Sequence, residues 1–249
     1  MNTLREIRRT LKEAGFSYGD GIYFRAINDM FQNVEIRHLR VRKEYIINFG
    51  VMPLCAGILN LHQGCLLDLS DFHSLDFPEW CDGWSYLYGG KRRKQECEEA
   101  VIYSIRRYLL PFMGNCNSSK TAYDTYKKAL FVKNEARLLW LRKRNEKDCA
   151  PRNDGYFDSC LLYLSLKNGN NDFARSALEA RIAHEKKLSL EIQEEEACSA
   201  KLKRLKEGIA QCELLISYLE NREYNEIQAI LDKREKASLG FLQNSEWFA

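Results

Sequence analysis

Residues 11–31, LKEAGFSYGDGIYFRAINDMF, contain the sharpest change of pattern in the chain. A charged run with helical spacing ends at Gly15, and aromatic and β-branched residues follow from Gly21. This predicts an amphipathic helix, a turn at Asp20 and Gly21, and a first strand over 21–31. Because a dinucleotide-binding glycine loop needs a strand before it and a helix after it, we interpret these glycines as a corner of the chain.

Two further strands follow the corner. NVEIRHLRV alternates apolar and polar residues, EYIINFGV is nearly continuous in apolar residues, and Arg42 and Lys43 fall where a tight turn would join them. The segment GWSYLYGG is another strand candidate, and a helix that Pro111 and Gly114 would end comes after it. The predicted fold is α+β, an antiparallel sheet of about four to five strands with helices packed on one side.

The composition changes near Pro151. Residues 1–150 carry 24 Lys and Arg against 18 Asp and Glu, whereas residues 151–249 carry 14 against 17. We predict an α+β domain over 1–150 and an all-helical region over 151–249, which begins with a helical hairpin. A heptad seam follows, formed by Leu202, Leu205, Ile209, Cys212, Ile216 and Leu219. It predicts a helix that packs within its own domain or one that forms a homodimer.

Composition limits the compartment and the class of partner. The net charge of +3 favours neither a dedicated nucleic-acid binder nor an acidic mimic of one. Nine cysteines without a repeated spacing indicate reduced thiols. The N-terminus lacks an apolar signal region, and the longest apolar stretch, residues 49–61, is too short for a bilayer. We therefore expect a cytoplasmic protein with no membrane contact.

No pattern in the chain specifies a reaction. One loop-rich segment offers five potential zinc ligands: Cys55, His62, Cys65, His73 and Cys81. Only His62 and Cys65 have the close spacing that a zinc site needs. The sequence lacks a G-x-S-x-G elbow and a phosphate loop of the required spacing. We predict no catalytic residues, metal or cofactor. A hydrolase with an unrecognised Cys/His site remains an alternative.

Aromatic and arginine side chains are the usual anchors of protein interfaces. The candidate protein-binding residues are Arg37, Arg40, Arg42, Tyr45, Trp80, Trp84, Tyr86, Trp247 and Phe248. The alternative is a nucleic-acid interface, which is disfavoured because acidic residues lie close to its basic runs. Those runs comprise Lys91, Arg92, Arg93 and Lys94, and Arg142, Lys143 and Arg144.

The first 110 residues or so resemble the bacterial domain-of-unknown-function family numbered 4304. The matching residues are Leu11, Lys12, Gly15, Phe16, Gly21, Phe24 and Arg25, followed more loosely by Ile47, Asn48, Phe49 and Gly50. The chain departs from the family pattern at CLLDLSDFHSL, before the tryptophan segment. Related domains occur beside genes of interbacterial conflict, so the resemblance implies an immunity-type protein that binds and neutralises a toxin. The alternative in that setting is a nucleic-acid-associated defence protein.

Overall fold

The computed structural model describes residues 3–58, 61, 85–87, 90–125, 155–193 and 199–244. The strands are β1 Ser17–Gly19, β2 Ile22–Ile27, β3 Met30–Leu39, β4 Glu44–Pro53 and β5 Ser85–Leu87. The helices are α1 Thr3–Glu13, α2 Gly90–Ser104, α3 Leu110–Asn115, α4 over 119–125, α5 Gly155–Lys167, α6 Asn171–Gln193, α7 Ser199–Glu220 and α8 Tyr224–Asn244.

The five strands form one antiparallel meander in the order β1-β2-β3-β4-β5. The α+β prediction is confirmed, including the helical character of the C-terminal half. Asp20 and Gly21 both have positive φ, 50° and 79°, which is the geometry that a two-residue hairpin loop requires. The predicted strand over 21–31 is wrong at its end, because a second turn at Asn28 reverses the chain and places Met30 in β3.

Arg25 holds the corner together. Its guanidinium lies 4.4 Å from the ring centre of Phe16, donates to the carbonyl of Ala14 at the end of α1, and donates to Oε1 of Gln32 at 2.9 Å. The amide of Gln32 donates in turn to the carbonyls of Met113 and Cys116. Two of the residues that carry the family resemblance, Phe16 and Arg25, therefore have structural roles here.

Helices α2 and α3 cover one face of the sheet. Phe112 packs edge-on against Phe49, with ring centres 5.5 Å apart, and Gln32 on the same face bonds to α3. On the opposite face Phe24 and Phe31 are fully buried, and Asn33 donates to the carbonyl of Leu61 at 2.7 Å. Leu61, which follows β4, thus lies on the face that α2 and α3 leave open.

Pro111 does not end its helix. Residues Ile105–Leu109 form a π-helical turn between α2 and α3, and the helix continues to Asn115. A proline inside a helix lacks one hydrogen-bond donor and clashes with the preceding turn. The wider turn just before Pro111 accommodates both, which the sequence prediction of a stop at Pro111 did not allow for.

The C-terminal helices share packing with the sheet. Cys160, Leu164 and Leu242 belong to the same apolar cluster as the sheet residues. A second cluster joins α5, α6, α7 and α8, and it includes Cys212 and Leu219 of the heptad seam. The predicted helical hairpin is confirmed, with Gly169 at positive φ in its turn, and α7 packs antiparallel along α6 within the chain.

Two groups of polar contacts fix α8 and α5 to the sheet domain. Ser238 and Arg234 of α8 hydrogen-bond to the 54–58 turn that follows β4. Nζ of Lys167, at the end of α5, lies 2.9 Å from Oδ2 of Asp29 and 2.6 Å from Oε2 of Glu235. Among the residues described, no helix combines the length and the apolar character needed to cross a bilayer.

Candidate functional site

The turn between β3 and β4 is a basic, fully exposed tip. Arg40, Val41, Arg42 and Lys43 are all exposed, and 98% of the surface of Val41 is accessible. Within the described part of the chain the three cations form no ion pair with a carboxylate. We call residues 40–43 the hairpin tip. A charged turn that carries an uncovered valine is suited to contact a partner that offers both carboxylates and apolar surface.

The base of the hairpin supports this tip. The rings of His38 and Tyr45 stack with centres 4.3 Å apart and planes 7° apart. The hydroxyl of Tyr45 donates to Oε1 of Glu98 at 2.8 Å, and Nζ of Lys94 lies 3.6 Å from the same carboxylate oxygen. This chain of contacts ties the hairpin to the first turns of α2.

Burial and two neighbouring cations keep the imidazole of His38 uncharged. Burial, followed by the charges of Lys94 and Arg40, lowers the pKa of the imidazole, and Glu98 opposes them. His38 is therefore neutral near pH 7, and its own charge adds nothing to the hairpin. Lys94 of one predicted basic run and Arg40 of the hairpin therefore both act on the same imidazole.

The structure separates the predicted protein-binding residues into three groups. Arg37, Arg40 and Arg42 are exposed as predicted, and Arg37 pairs with Glu35 at 2.9 Å. Tyr45 is only 1% exposed, so its prediction as an exposed anchor is wrong: the alternation along β4 turns its ring towards α2. Tyr86 lies opposite Tyr45 in β5. The side chain of Tyr86, and all of Trp80, Trp84, Trp247 and Phe248, lie outside the described residues.

The structure describes the side chains of only some of the predicted nucleic-acid-binding residues. The run from Lys91 to Lys94 lies in the first turn of α2, where Arg93 is exposed and Lys94 is partly buried. The side chains of Lys91 and Arg92 lie outside the described residues, as does the second run, Arg142, Lys143 and Arg144. A site that joins the two basic runs therefore stays a prediction.

Cysteine chemistry finds no support in the described residues. Cys55 and Cys116 are fully buried, and burial raises the pKa of each thiol to about 12. Such thiols stay protonated and are poor nucleophiles. His62, Cys65, His73 and Cys81, the other zinc candidates, lie outside the described part. Within it, no three His, Cys, Asp or Glu side chains converge as a metal site.

Two surface depressions were not foreseen from the sequence. One, of about 530 Å³, lies where α7 turns into α8 and is lined by Tyr218, Arg222, Glu223, Tyr224, Asn225 and Glu226. The other, of about 410 Å³, lies between α1 and α2 and is lined by Glu6, Glu99, Ile102, Tyr103, Arg106 and Arg107. The first is formed by residues that are close in sequence, where one helix turns into the next. The second combines residues that are distant in sequence and become neighbours only because two helices meet, so the spacing along either helix could not reveal it.

Comparison with known proteins found no match. The chain matches no protein-family model, no curated protein and no solved structure. The resemblance to the bacterial domain family numbered 4304 therefore stays a prediction.

Proposed function

We propose that this chain is a non-enzymatic, cytoplasmic protein-binding protein that presents its basic hairpin tip to an acidic partner. The observation that carries the proposal is the exposed run of Arg40, Val41, Arg42 and Lys43 on a base braced by the Tyr45–Glu98 contact. The family resemblance supplies the specific case, an immunity protein that binds a bacterial toxin.

Charge reversal at the hairpin tip tests this function. The double variant Arg40→Glu/Arg42→Glu should lose its stoichiometric partner when purified from the native host, since repulsion replaces attraction at the interface. Val41→Ser should weaken the same complex about tenfold, because burial of a valine side chain contributes about 1.5 kcal/mol or more. Isothermal titration against the purified partner measures both effects.

The control reverses two exposed cations on another surface, Lys203→Glu/Arg204→Glu in α7. It should leave the affinity unchanged within about twofold. A wild-type chain that purifies as a monomer without any stoichiometric partner, or a hairpin variant that binds as tightly as the wild type, would contradict the proposal.

A nucleic-acid interface is the second candidate, because Lys94 and Arg40 both act on His38 and lower the pKa of its imidazole. It requires that binding to a labelled single-stranded oligonucleotide or a short duplex weaken steeply with salt and with reversal of Arg92 and Arg93. Absence of binding at 50 mM salt would remove this candidate. The described free thiols are all buried, and the described residues contain no metal cluster, so neither supports the hydrolase alternative.

A further inference from the structure

The hairpin tip has a complementary surface on the same chain. We propose that the acidic partner of the hairpin tip is a second copy of this protein, which receives the tip in the depression between α7 and α8. We call this depression, lined by Tyr218 and residues 222–226, the α7–α8 corner. The inference rests on the proposed function and specifies the partner of the same site.

The α7–α8 corner has the chemistry that the tip requires. Glu223 and Glu226 are exposed and form no ion pair in the described part of the chain, whereas Glu220 nearby is held by Arg175 at 2.7 Å. Tyr224 is 49% exposed and supplies an aromatic wall. Arg222 also lines the corner, so two carboxylates and one guanidinium leave it negative. The cations of the tip can pair with these carboxylates while Val41 contacts the tyrosine rings.

The depression between α1 and α2 does not offer this match. Arg106 and Arg107 line it, and Arg106 already occupies the carboxylate of Glu6 at 3.1 Å. The adjacent outer face of α1 exposes Arg5, Arg8 and Lys12, which would repel the tip. The α7–α8 corner instead combines two carboxylates that form no ion pair in the described part of the chain with the exposed ring of Tyr224.

The two surfaces are separated by roughly the length of β3, so one chain cannot pair them within itself. β3 begins beside Asp29, which contacts Lys167 at the end of α5, and its ten residues then run to the hairpin tip. That length is about 33 Å. The turn after Lys167 joins the α7–α8 corner through a shared depression lined by Gly169, Arg222 and Tyr224. Two copies aligned side by side and antiparallel would make both contacts, and a head-to-tail arrangement would make one per junction.

A charge swap tests this pairing. One variant carries Arg40→Glu/Arg42→Glu at the tip, and the other carries Glu223→Lys/Glu226→Lys at the corner. Sedimentation equilibrium of the full-length chain should show concentration-dependent self-association of the wild type. Each variant alone should associate at least about tenfold more weakly, because its tip and its corner then carry the same sign of charge.

An equimolar mixture of the two variants should recover the wild-type association, because each tip then meets a corner of opposite charge. The variant Lys203→Glu/Arg204→Glu serves as the control and should associate like the wild type. Circular dichroism and thermal unfolding confirm that each variant is folded.

A wild type that remains monomeric at millimolar concentration would overturn the inference, as would association that neither variant weakens or that the mixture does not restore. The proposed function fails separately. A monomeric protein that binds another partner through residues 40–43 would leave the proposed function intact while excluding the second copy.

Discussion

Gly208 in α7 lies directly over a buried carboxylate of α6. Oε1 of Glu185 accepts from Nε of Arg181 at 2.7 Å, while Oε2 is buried with no hydrogen-bond partner among the described residues. A β-carbon at position 208 would lie 2.6 Å from that Oε2. The glycine therefore lets α7 approach the ion pair, although glycine is a poor helix former.

Substitution of this glycine should cancel the usual stabilising effect of alanine in a helix. Gly208→Ala gains about 1 kcal/mol in helix propensity. It must also displace Glu185 from Arg181, which offsets that gain. Gly240→Ala in α8, where a β-carbon would meet no atom within 4 Å, is the matched control and should stabilise the fold by nearly the full amount. Urea unfolding compares the two.

We expect Gly208→Ala to have a free energy of unfolding about 1 kcal/mol below that of Gly240→Ala. In the Glu185→Ala background, which removes the obstructing carboxylate, the two glycine substitutions should have equal effects. Equal effects in the wild-type background would show that Glu185 moves away at no cost.

At the scale of one element, α8 caps a turn that is distant in sequence. Oγ of Ser238 accepts from the amide of Ile58 at 2.8 Å and donates to the carbonyl of Leu54 at 2.7 Å. Arg234, one turn earlier, donates to the carbonyls of Cys55 and Ala56 and lies over the ring of Tyr163. α8 thus supplies side chains in place of the backbone partners that this turn lacks.

Ser238→Ala should lower the free energy of unfolding by about 2 kcal/mol, because it leaves the buried amide of Ile58 without its partner and removes one of the two hydrogen bonds to the carbonyl of Leu54. Ser217→Ala, at an exposed position of α7, should change it by less than about 0.5 kcal/mol. Chemical denaturation measures both. A loss at Ser238 no larger than that at Ser217 would show that water replaces the hydroxyl.

At the scale of the whole molecule, Lys167 joins the sheet to the helical region. Its ammonium contacts Asp29 in the β2–β3 turn and Glu235 in α8. Burial favours the neutral forms of both Asp29 and Lys167, but hydrogen bonds outweigh it. Those from Ser119 and Lys167 lower the pKa of Asp29, and those to Glu235 and Asp29 raise the pKa of Lys167.

Lys167→Met should destabilise the fold by about 2 kcal/mol at pH 7, because two partly buried carboxylates lose their cation. The contribution of Asp29 is present above its ordinary pKa of 3.8 and is lost as the pH falls through its lower folded value. That of Lys167 is present below 10.5 and is lost as the pH rises through its higher folded value.

The difference between wild type and Lys167→Met should therefore be largest between about pH 4 and pH 10 and should shrink on either side. Thermal unfolding of both proteins within this pH range and on either side of it measures the difference. Lys236→Met, an exposed lysine of α8, is the control and should show no such dependence. A difference that stays constant from pH 2 to pH 7 would exclude a role for the Asp29 carboxylate.

Local pattern determined much of the fold. Gly15, Asp20 and Gly21 adopt the positive φ values that their turns require, and the apolar run after Lys43 becomes a buried strand. Such features depend on neighbours in sequence, and a sequence displays neighbours directly. The heptad seam is similar, because its spacing indicates that one face of α7 must be covered. It does not indicate whether α6 or a second chain covers it.

Tertiary structure alone decided which side chains meet across elements. Tyrosine is a common anchor residue of protein interfaces, yet the packing of α2 on the sheet buries Tyr45 against Glu98. The depression between α1 and α2 likewise exists only because two helices that are distant in sequence meet. Local pattern therefore predicted the first corner, the β3–β4 hairpin with its turn at Arg42 and Lys43, and the C-terminal helices, but not the turn at Asn28 or the helix that continues through Pro111. The tertiary structure decided burial and juxtaposition, because both depend on contacts between residues far apart in the chain.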